Sequence, residues 1–129
     1  MTKIYAVTTG NCNGHYSPAI IHNNIAYISG QLPLRPTSKI PQGTIAEQTT
    51  LALDNLKKVL EQCNSNENLV LKTTVYISNI DFWPEVNQVY SKFFANHKPA
   101  RTIVATSTLH FGSLIEIDAI AAIKSNKES

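Results

Sequence analysis

The amino-acid sequence predicts an α+β fold in which one mixed sheet carries two helices on a single face. Three observations support this prediction. Strand-like and helix-like segments follow each other in the order β-β-β-α-β-α-β-β. Each helix lies between two strands, as in a crossover connection. Because such crossovers are right-handed, both helices fall on the same side when the strands interleave.

Length and composition limit the class of protein. At 129 residues, the chain is expected to form one domain over residues 1–129. Hydrophobic residues make up 43% and charged residues 16%, as in ordinary globular proteins. The net charge is only +2 and the longest basic run is Lys57-Lys58, which argues against a nucleic-acid-binding surface. Because there is no membrane-length apolar run and no signal-peptide core after Met1, we expect a cytoplasmic protein.

The first third of the chain predicts three strands. A strand over residues 3–9 is followed by a polar loop. Residues 19–22 and 25–29 then form a hairpin, whose Asn23-Asn24 turn tolerates the positive φ of a tight connection. Gly30-Gln31 closes the third strand, and a proline-rich loop follows.

A capping box predicts the start of the first helix. In Thr44-Ile45-Ala46-Glu47, the threonine caps exposed amides and the glutamate reaches back to the cap. The helix runs to about Cys63 and ends in a polar turn at residues 64–68. Its apolar positions recur on one face. They are Ile45, Ala52, Leu56, Val59, Leu60 and Cys63.

The second helix follows a strand over residues 69–78. One face of that strand is assigned to Leu71, Thr73, Val75 and Ile77. Asn79 or Asp81 caps the helix, and Pro84 is tolerated in its first turn. The apolar face of the helix consists of Val86, Val89, Tyr90, Phe93 and Phe94.

Two further strands are predicted after this helix. Phe82 and Trp83 are interpreted as staples of the helix rather than as ligand contacts. Pro99 prevents helix at the next step. The last strands cover residues 101–106 and 114–123.

The last strand predicts an uncovered sheet face. Its apolar side chains point both ways: Ile115, Ile117 and Ala119 to one face, and Leu114, Ile120 and Ala122 to the other. Since both helices lie on one face, the second face is bare but partly apolar. Such a surface is more often buried by another subunit than left in water. We therefore expect a homo-oligomer.

Two carboxylates, Glu116 and Asp118, share the bare face. Acidic groups in a strand that otherwise resembles core need a partner or a function. The alternative is an edge or solvated strand, which the pattern favours equally.

Arg101 stands at the start of the preceding strand, just after Pro99. A guanidinium there can bind a small carboxylate. If this strand pairs with the last one, Arg101 and Glu116 share a cleft. They then form either a salt bridge or a site in which Arg101 binds a substrate carboxylate and Glu116 orders a water molecule.

Other chemistry-bearing residues give weaker signals. Ser29-Gly30 closes a strand, where glycine allows a ligand to approach, although a simple turn is the commoner explanation. Neither Ser17 nor Ser29 has a His/Asp partner for nucleophilic catalysis. The four histidines have no metal-site spacing. Cys63 is expected to pack in the core, and Cys12 is the thiol to test for reactivity.

Several motifs occur together in a distinctive order. Near the C-terminus stand Lys98-Pro99-Ala100-Arg101-Thr102 and Ile115-Glu116-Ile117-Asp118-Ala119-Ile120-Ala121. Earlier come Gly14-His15-Tyr16-Ser17 and Ser29-Gly30-Gln31-Leu32-Pro33, and the second helix contains Val86-Asn87-Gln88-Val89-Tyr90. Over nearly the whole chain, these motifs resemble the RidA/YjgF family of reactive-intermediate (enamine/imine) deaminases.

The resemblance implies a fold, an assembly and a reaction. The fold is chorismate-mutase-like, with the ferredoxin-like order given above, and it assembles as a homotrimer with three clefts between subunits. The reaction is hydrolysis of 2-aminoacrylate or 2-aminocrotonate, through their imine tautomers, to a 2-keto acid and ammonia. Such intermediates leave pyridoxal-phosphate-dependent serine/threonine dehydratases. The family needs no metal and no organic cofactor.

The resemblance also implies roles for individual residues. Arg101 binds the substrate carboxylate, and the backbone of Ile103 binds the substrate nitrogen or carboxylate. Glu116 positions or activates the attacking water as a general base. The remaining residues close or line the pocket: Tyr16, Ser29, Gly30 and Asn87.

The chain departs from the family pattern at three places. Ile103 replaces the cysteine of many members, and His15 replaces the proline of Gly-Pro-Tyr. Leu109-His110-Phe111-Gly112 replaces a Leu-Pro-Lys-Gly loop. The main alternative to an enzyme is a non-enzymatic trimer that senses metabolites or holds proteins like a chaperone. RNA cleavage is the weakest alternative, because the chain lacks a basic stripe.

Overall fold

A computed structural model describes residues 2–8 and 14–124. Within them, the elements follow the predicted order β-β-β-α-β-α-β-β. They are β1 (Tyr5–Val7), β2 (Ala19–His22), β3 (Ile25–Gln31), α1 (Ile45–Gln62), β4 (Val70–Ile77), α2 (Trp83–Phe94), β5 (Ala100–Ala105) and β6 (Ile115–Ala122). Cys12, Thr9 at the end of the predicted first strand, and residues 125–129 lie outside the described part.

The strands form one mixed sheet in the order β1-β2-β3-β6-β4-β5. Neighbouring strands are antiparallel except for β4 and β5, which are parallel and joined through α2. The predicted single mixed sheet is therefore confirmed. Neither helix in the described ranges is long and apolar enough to span a membrane.

The strand order shows which strands β6 pairs with, and therefore whether it lies beside the strand of Arg101 or at an edge of the sheet. The sequence interpretation treated the strands of Arg101 and Glu116 as neighbours. In the structure β4 lies between β5 and β6, so these two strands do not pair. The reason is that β5 adds in parallel to the outer edge of β4 after the α2 crossover. β6 itself pairs with β3 on one side and β4 on the other. The edge-strand explanation of its carboxylates is thereby excluded.

The core lies between the two helices and one face of the sheet. In β6, the buried residues alternate strictly with half-buried ones, as a strand with one covered face requires. Ile115, Ile117, Ala119 and Ala121 face the helices. The whole predicted apolar face of α1 is buried, together with Gln48, Thr49 and Leu53, which the sequence interpretation did not include.

The predicted cap of α1 and the predicted β2–β3 turn are confirmed. Thr44 Oγ1 accepts a hydrogen bond from the Glu47 amide at 3.2 Å, and Glu47 Oε1 accepts one from the Thr44 amide at 2.9 Å. The β2–β3 turn places Asn23 at φ 52° and Asn24 at φ 63°, the left-handed conformations of a tight hairpin. Asn79 Oδ1 accepts from the Asp81 amide at 2.9 Å, but this bond caps the short 3-10 turn at Ile80–Phe82. α2 follows Phe82 without a side-chain cap, so the predicted capping of this helix by Asn79 or Asp81 is wrong.

The predicted assignment of alternate β4 residues to the buried face is wrong at the start of the strand. Leu71 is 48% exposed, whereas Val70 is fully buried. A register shift against β6 falls between Val70 and Lys72. Such a bulge adds one residue to the strand and reverses the alternation locally. From Thr73 onward, the predicted face is correct.

The two faces of the sheet differ in what covers them. Val86, Tyr90 and Phe94 of α2 are buried against the helix-side face, and Val89 and Phe93 are packed at its margin. The opposite face carries alternate residues of β3, β4 and β6 and is not covered by α1 or α2. This face is called the open face below.

Candidate active site

Glu116 is a half-buried carboxylate on the open face, at the second position of β6. It is in register with Tyr76 on β4. Burial raises the pKa of the Glu116 carboxyl, and the nearby Asp118 charge raises it further, while His110 opposes the shift. A carboxyl with a raised pKa remains a stronger base when ionised and can carry a proton closer to neutral pH.

A phenol and a second carboxylate accompany Glu116. The Tyr76 hydroxyl donates a long hydrogen bond of 3.4 Å to Asp118 Oδ2. Burial raises the pKa of the Tyr76 phenol, and the charges of Asp118 and Glu116 add to that effect. Tyr76 therefore stays protonated at neutral pH and acts as a donor within the acidic pair.

Gly30 lies directly against the Glu116 carboxylate. A Cβ at position 30 would overlap that carboxylate and approach its Cδ to 2.9 Å. Ser29 and Gly30 sit between Ile28 and Gln31, where the register of β3 shifts against β6. They therefore belong to a bulge within β3, and the explanation as a simple turn after the strand is wrong. Bulges next to functional sites redirect neighbouring groups.

Ser29 connects this bulge to the loop that carries Tyr16. Its Oγ donates to the Ser17 carbonyl at 2.7 Å, and its amide donates to the Pro18 carbonyl at 3.0 Å. Tyr16 is 60% exposed. Its ring lies against the backbone of Gly14, where a Cβ would approach Cε1 to 2.7 Å. Ser29 thus ties the β3 bulge to the two residues that follow Tyr16.

The loop between β5 and β6 also reaches this face. Phe111 adopts φ 59°, and the rings of His110 and Phe111 lie 3.9 Å apart at their centroids. His110 is close enough to Glu116 to lower the pKa of its carboxyl. The segment that departs from the family pattern at Leu109-His110-Phe111-Gly112 is thereby placed beside the candidate base.

Arg101 belongs to a second cluster on the other side of the sheet. Its Nη1 donates to Asn87 Oδ1 at 3.1 Å. Its guanidinium carbon lies 4.6 Å from the ring centroid of Trp83 and 4.9 Å from that of Tyr90. Asn87, Trp83 and Tyr90 all belong to α2.

The two clusters lie on opposite faces within one chain. Arg101 is in register with Thr73, which is buried on the helix side, whereas Glu116 is in register with Tyr76 on the open face. Partners across neighbouring strands share a face, and Thr73 and Tyr76 are an odd number of residues apart. Arg101 and Glu116 accordingly form no salt bridge within the chain, and the ion-pair interpretation is wrong.

Ile103 lies two residues beyond Arg101 on β5, in register with Val75. β5 is the outer strand of the sheet. The backbone groups that point outward from an edge strand are available to a ligand or to another chain. Because they are two residues apart on β5, Ile103 and Arg101 direct their backbone N–H and C=O groups to the same side of the strand.

Sequence reasoning missed several residues of both clusters. Trp83 and Tyr90 were assigned to packing alone, although positions 83, 87 and 90 fall on one helix face at the spacing of i, i+4 and i+7. That spacing could have linked them to Asn87. The approach of His110 and Tyr76 to Glu116 has no local sequence signal. Cys63 is buried, as predicted, and burial raises the pKa of its thiol. Among the described residues, no group of three His, Cys, Asp or Glu side chains could hold a metal ion.

Comparison with known proteins identifies the family. The family described as Endoribonuclease L-PSP matches residues 9–123. Protein HMF1 of Saccharomyces cerevisiae is 41% identical over 122 residues, which cover 95% of each chain. A human 2-iminobutanoate/2-iminopropanoate deaminase is 36% identical over 109 residues, covering 84% of this chain and 80% of the human one.

The fold comparison agrees. The crystal structure of the YjgF gene product of E. coli superposes with a TM-score of 0.86 at 29% identity, covering 93% of this chain and 99% of the other. The chain therefore belongs to the Endoribonuclease L-PSP family, which is the RidA/YjgF family that its motifs resemble.

Proposed function

We propose that this protein hydrolyses the imine tautomers of 2-aminoacrylate and 2-aminocrotonate to 2-keto acids and ammonia. Its family includes a human protein named for the same reaction. The observation that carries the proposal is the environment of Glu116: a half-buried carboxyl with a raised pKa, set against a glycine on an open sheet face. That is the environment of a general base that must accept and return a proton near neutral pH.

The proposed reaction divides between the two clusters. The guanidinium of Arg101 binds the substrate carboxylate and fixes the position of the adjacent imine carbon. Ionised Glu116 takes a proton from a water molecule, whose oxygen forms a bond to that carbon while the C=N electron pair moves to nitrogen. Glu116 returns that proton to the nitrogen, which gives a carbinolamine. It then accepts the proton of the carbinolamine hydroxyl and passes it to the amino nitrogen as the C–N bond breaks and the C=O bond forms, which releases ammonia and the 2-keto acid. Since imine hydrolysis is already facile in water, placement and modest acid–base help are sufficient.

The proposed site requires more than one chain. Arg101 and Glu116 lie on opposite faces of the sheet, so one protomer cannot direct both at the same small substrate. We propose a homotrimer in which Arg101 of one protomer faces Glu116 of the next across each of three clefts. The open face supports this assembly because it exposes apolar surface, including Tyr27 at 47%. Apolar patches of this kind are usually interfaces.

The remaining pocket residues have proposed supporting roles. Tyr16 and Ser29 close the pocket and help hold the water, and Gly30 leaves room for the Glu116 carboxylate. Asn87 lines the carboxylate end through its hydrogen bond to Arg101. The backbone of Ile103 on the outer strand binds the substrate nitrogen or carboxylate.

A coupled assay tests the reaction. A serine dehydratase generates 2-aminoacrylate from serine, and pyruvate formation is followed with wild type and with Arg101→Ala. We expect wild type to accelerate pyruvate release and the variant to lose most of that acceleration. No acceleration by wild type would reject the deaminase and favour the non-enzymatic metabolite-binding or protein-holding trimer. Equal acceleration by both proteins would show that the site is misplaced.

A further inference from the structure

We infer that Trp83, together with Tyr90, is a positioning residue that holds the Arg101 guanidinium in a carboxylate-binding orientation, and that Trp83 fluorescence reports occupancy of this site. The inference rests on the proposed function for the identity of the ligand. Its evidence is a set of contacts around one guanidinium. Two aromatic rings lie within 5 Å of the guanidinium carbon, and one amide oxygen accepts from Nη1.

The helix supplies all three contacts from one face. Trp83, Asn87 and Tyr90 are four and then three residues apart on α2, so their side chains stack along a single stripe. Arg101 reaches this stripe from β5 because it shares a face with Thr73. The arrangement is therefore a product of the α2 crossover.

Tyr90, the buried member of this stripe, is held in place by its neighbours. Tyr90 is 4% exposed, and its hydroxyl shares a hydrogen bond of 2.7 Å with Thr73 Oγ1. Its ring also packs against Phe94, with centroids 4.7 Å apart. Tyr90 consequently has one defined position. Its ring and that of Trp83 restrict the movement of the Arg101 guanidinium from two directions. Trp83 is only half-buried, so it can respond to what Arg101 binds.

An arginine side chain is otherwise long and flexible, and Arg101 is exposed. Cation–π contacts with two rings and one hydrogen bond remove much of that freedom before a ligand arrives. The guanidinium keeps further N–H groups for the two oxygens of a carboxylate, since only one of its five donors is committed to Asn87. Preorganisation of this kind strengthens binding by lowering its entropic cost.

Trp83 is the sole tryptophan of the chain, which gives the inference a direct readout. Titration of wild type with 2-ketobutyrate, a stable 2-keto acid, should produce a saturable change in tryptophan emission. The same titration of Arg101→Ala should produce none. A saturable change that persists in Arg101→Ala, or no saturable change in wild type, would overturn the inference.

Three variants separate positioning from packing. Trp83→Leu keeps an apolar side chain and removes the aromatic face, whereas Trp83→Phe keeps a face. Phe93→Leu is the matched control, because Phe93 packs on Phe94 at 4.9 Å and has no such contact with Arg101. Calorimetry with 2-ketobutyrate should show binding about threefold to tenfold weaker in Trp83→Leu, the range that a cation–π contact supplies. Trp83→Phe should retain most of the affinity, and Phe93→Leu all of it.

Turnover provides the independent test. For Trp83→Leu, KM should rise with little change in kcat, because the contact acts on carboxylate binding alone. The inference fails if Trp83→Leu binds like wild type, if Trp83→Phe loses as much as Trp83→Leu, or if Phe93→Leu loses the same amount. Wild type that binds 2-ketobutyrate in a Trp83-dependent way without accelerating imine hydrolysis would keep this inference and reject the deaminase. Thermal unfolding of each variant excludes loss of the fold as the cause.

Discussion

Arg101 and Glu116 lie on opposite faces of one sheet, separated by β4. The separation follows from register: Arg101 is paired with buried Thr73, and Glu116 with Tyr76 on the open face. A site that uses both groups on a substrate of a few atoms must therefore be shared between protomers. This geometric requirement is the strongest support for the proposed assembly.

Subunit mixing tests that requirement. Arg101→Ala and Glu116→Gln should each be nearly inactive alone, since each removes one half of every site. When equal amounts are unfolded together and refolded, random trimers should regain about a quarter of wild-type activity, because one cleft in each mixed ring is intact.

Two results would contradict the shared site. Mixed proteins that stay inactive, although sedimentation shows that they co-assemble, would place both groups within one protomer's site. A monomer of wild type in solution would remove the cleft altogether. Mixing Arg101→Ala with itself through the same refolding procedure provides the control.

Glu116→Gln should lower kcat far more than it changes KM. The amide cannot accept the proton of the attacking water, and loss of a general base costs about 10²- to 10⁴-fold. Steady-state kinetics with enzymatically generated 2-aminoacrylate measures the effect. In wild type, activity should fall as the pH is lowered through the raised pKa of Glu116, and this limb should be absent from the residual activity of Glu116→Gln. Asp118→Asn is the matched comparison, and a loss confined to that variant would assign the base to Asp118.

Glu116→Gln should also stabilise the folded protein at neutral pH. Because the folded-state pKa of Glu116 is raised above its ordinary value of 4.5, the folded protein favours the protonated carboxyl. The contribution of the protonated Glu116 carboxyl to the stability of the folded state is fully present below pH 4.5. It is lost as the pH rises through the folded-state pKa. Glu116→Gln should therefore unfold at a higher temperature than wild type at pH 7.5, and the difference should shrink at pH 4. A lower melting temperature at pH 7.5 would show that the charged carboxylate is well compensated in the fold.

Gly30→Ala should damage both stability and activity. The added methyl group overlaps the Glu116 carboxylate, so either the β3 bulge or that side chain must move. Overpacking of this kind costs about 1–3 kcal/mol, which denaturant unfolding measures. In a Glu116→Ala background, the cost should largely disappear because the overlapping group is gone. An equal cost in both backgrounds would mean that the bulge backbone, rather than the carboxylate, rejects the methyl group.

Much of the fold could be predicted from the sequence because its signals are local. The capping box at Thr44, the Asn23-Asn24 turn and the alternation of β6 each depend on a few neighbouring residues, and each is confirmed. The phase of β4 failed at Leu71 because a bulge depends on how that strand pairs with β6. Family motifs brought Arg101, Glu116, Gly30 and Asn87 into consideration, but local patterns did not reveal that they form two separate clusters.

By itself, the sequence determined the order and type of the elements, the two apolar helix faces and the presence of carboxylates on an otherwise apolar strand face. The tertiary structure decided that β4 separates β5 from β6, that Gly30 sits in a bulge against Glu116, and that Trp83 contacts Arg101. The physical reason is range. Periodicity and caps act over a few residues, whereas strand order and side-chain contacts depend on segments far apart in the chain, which meet only when the sheet and the α2 crossover form.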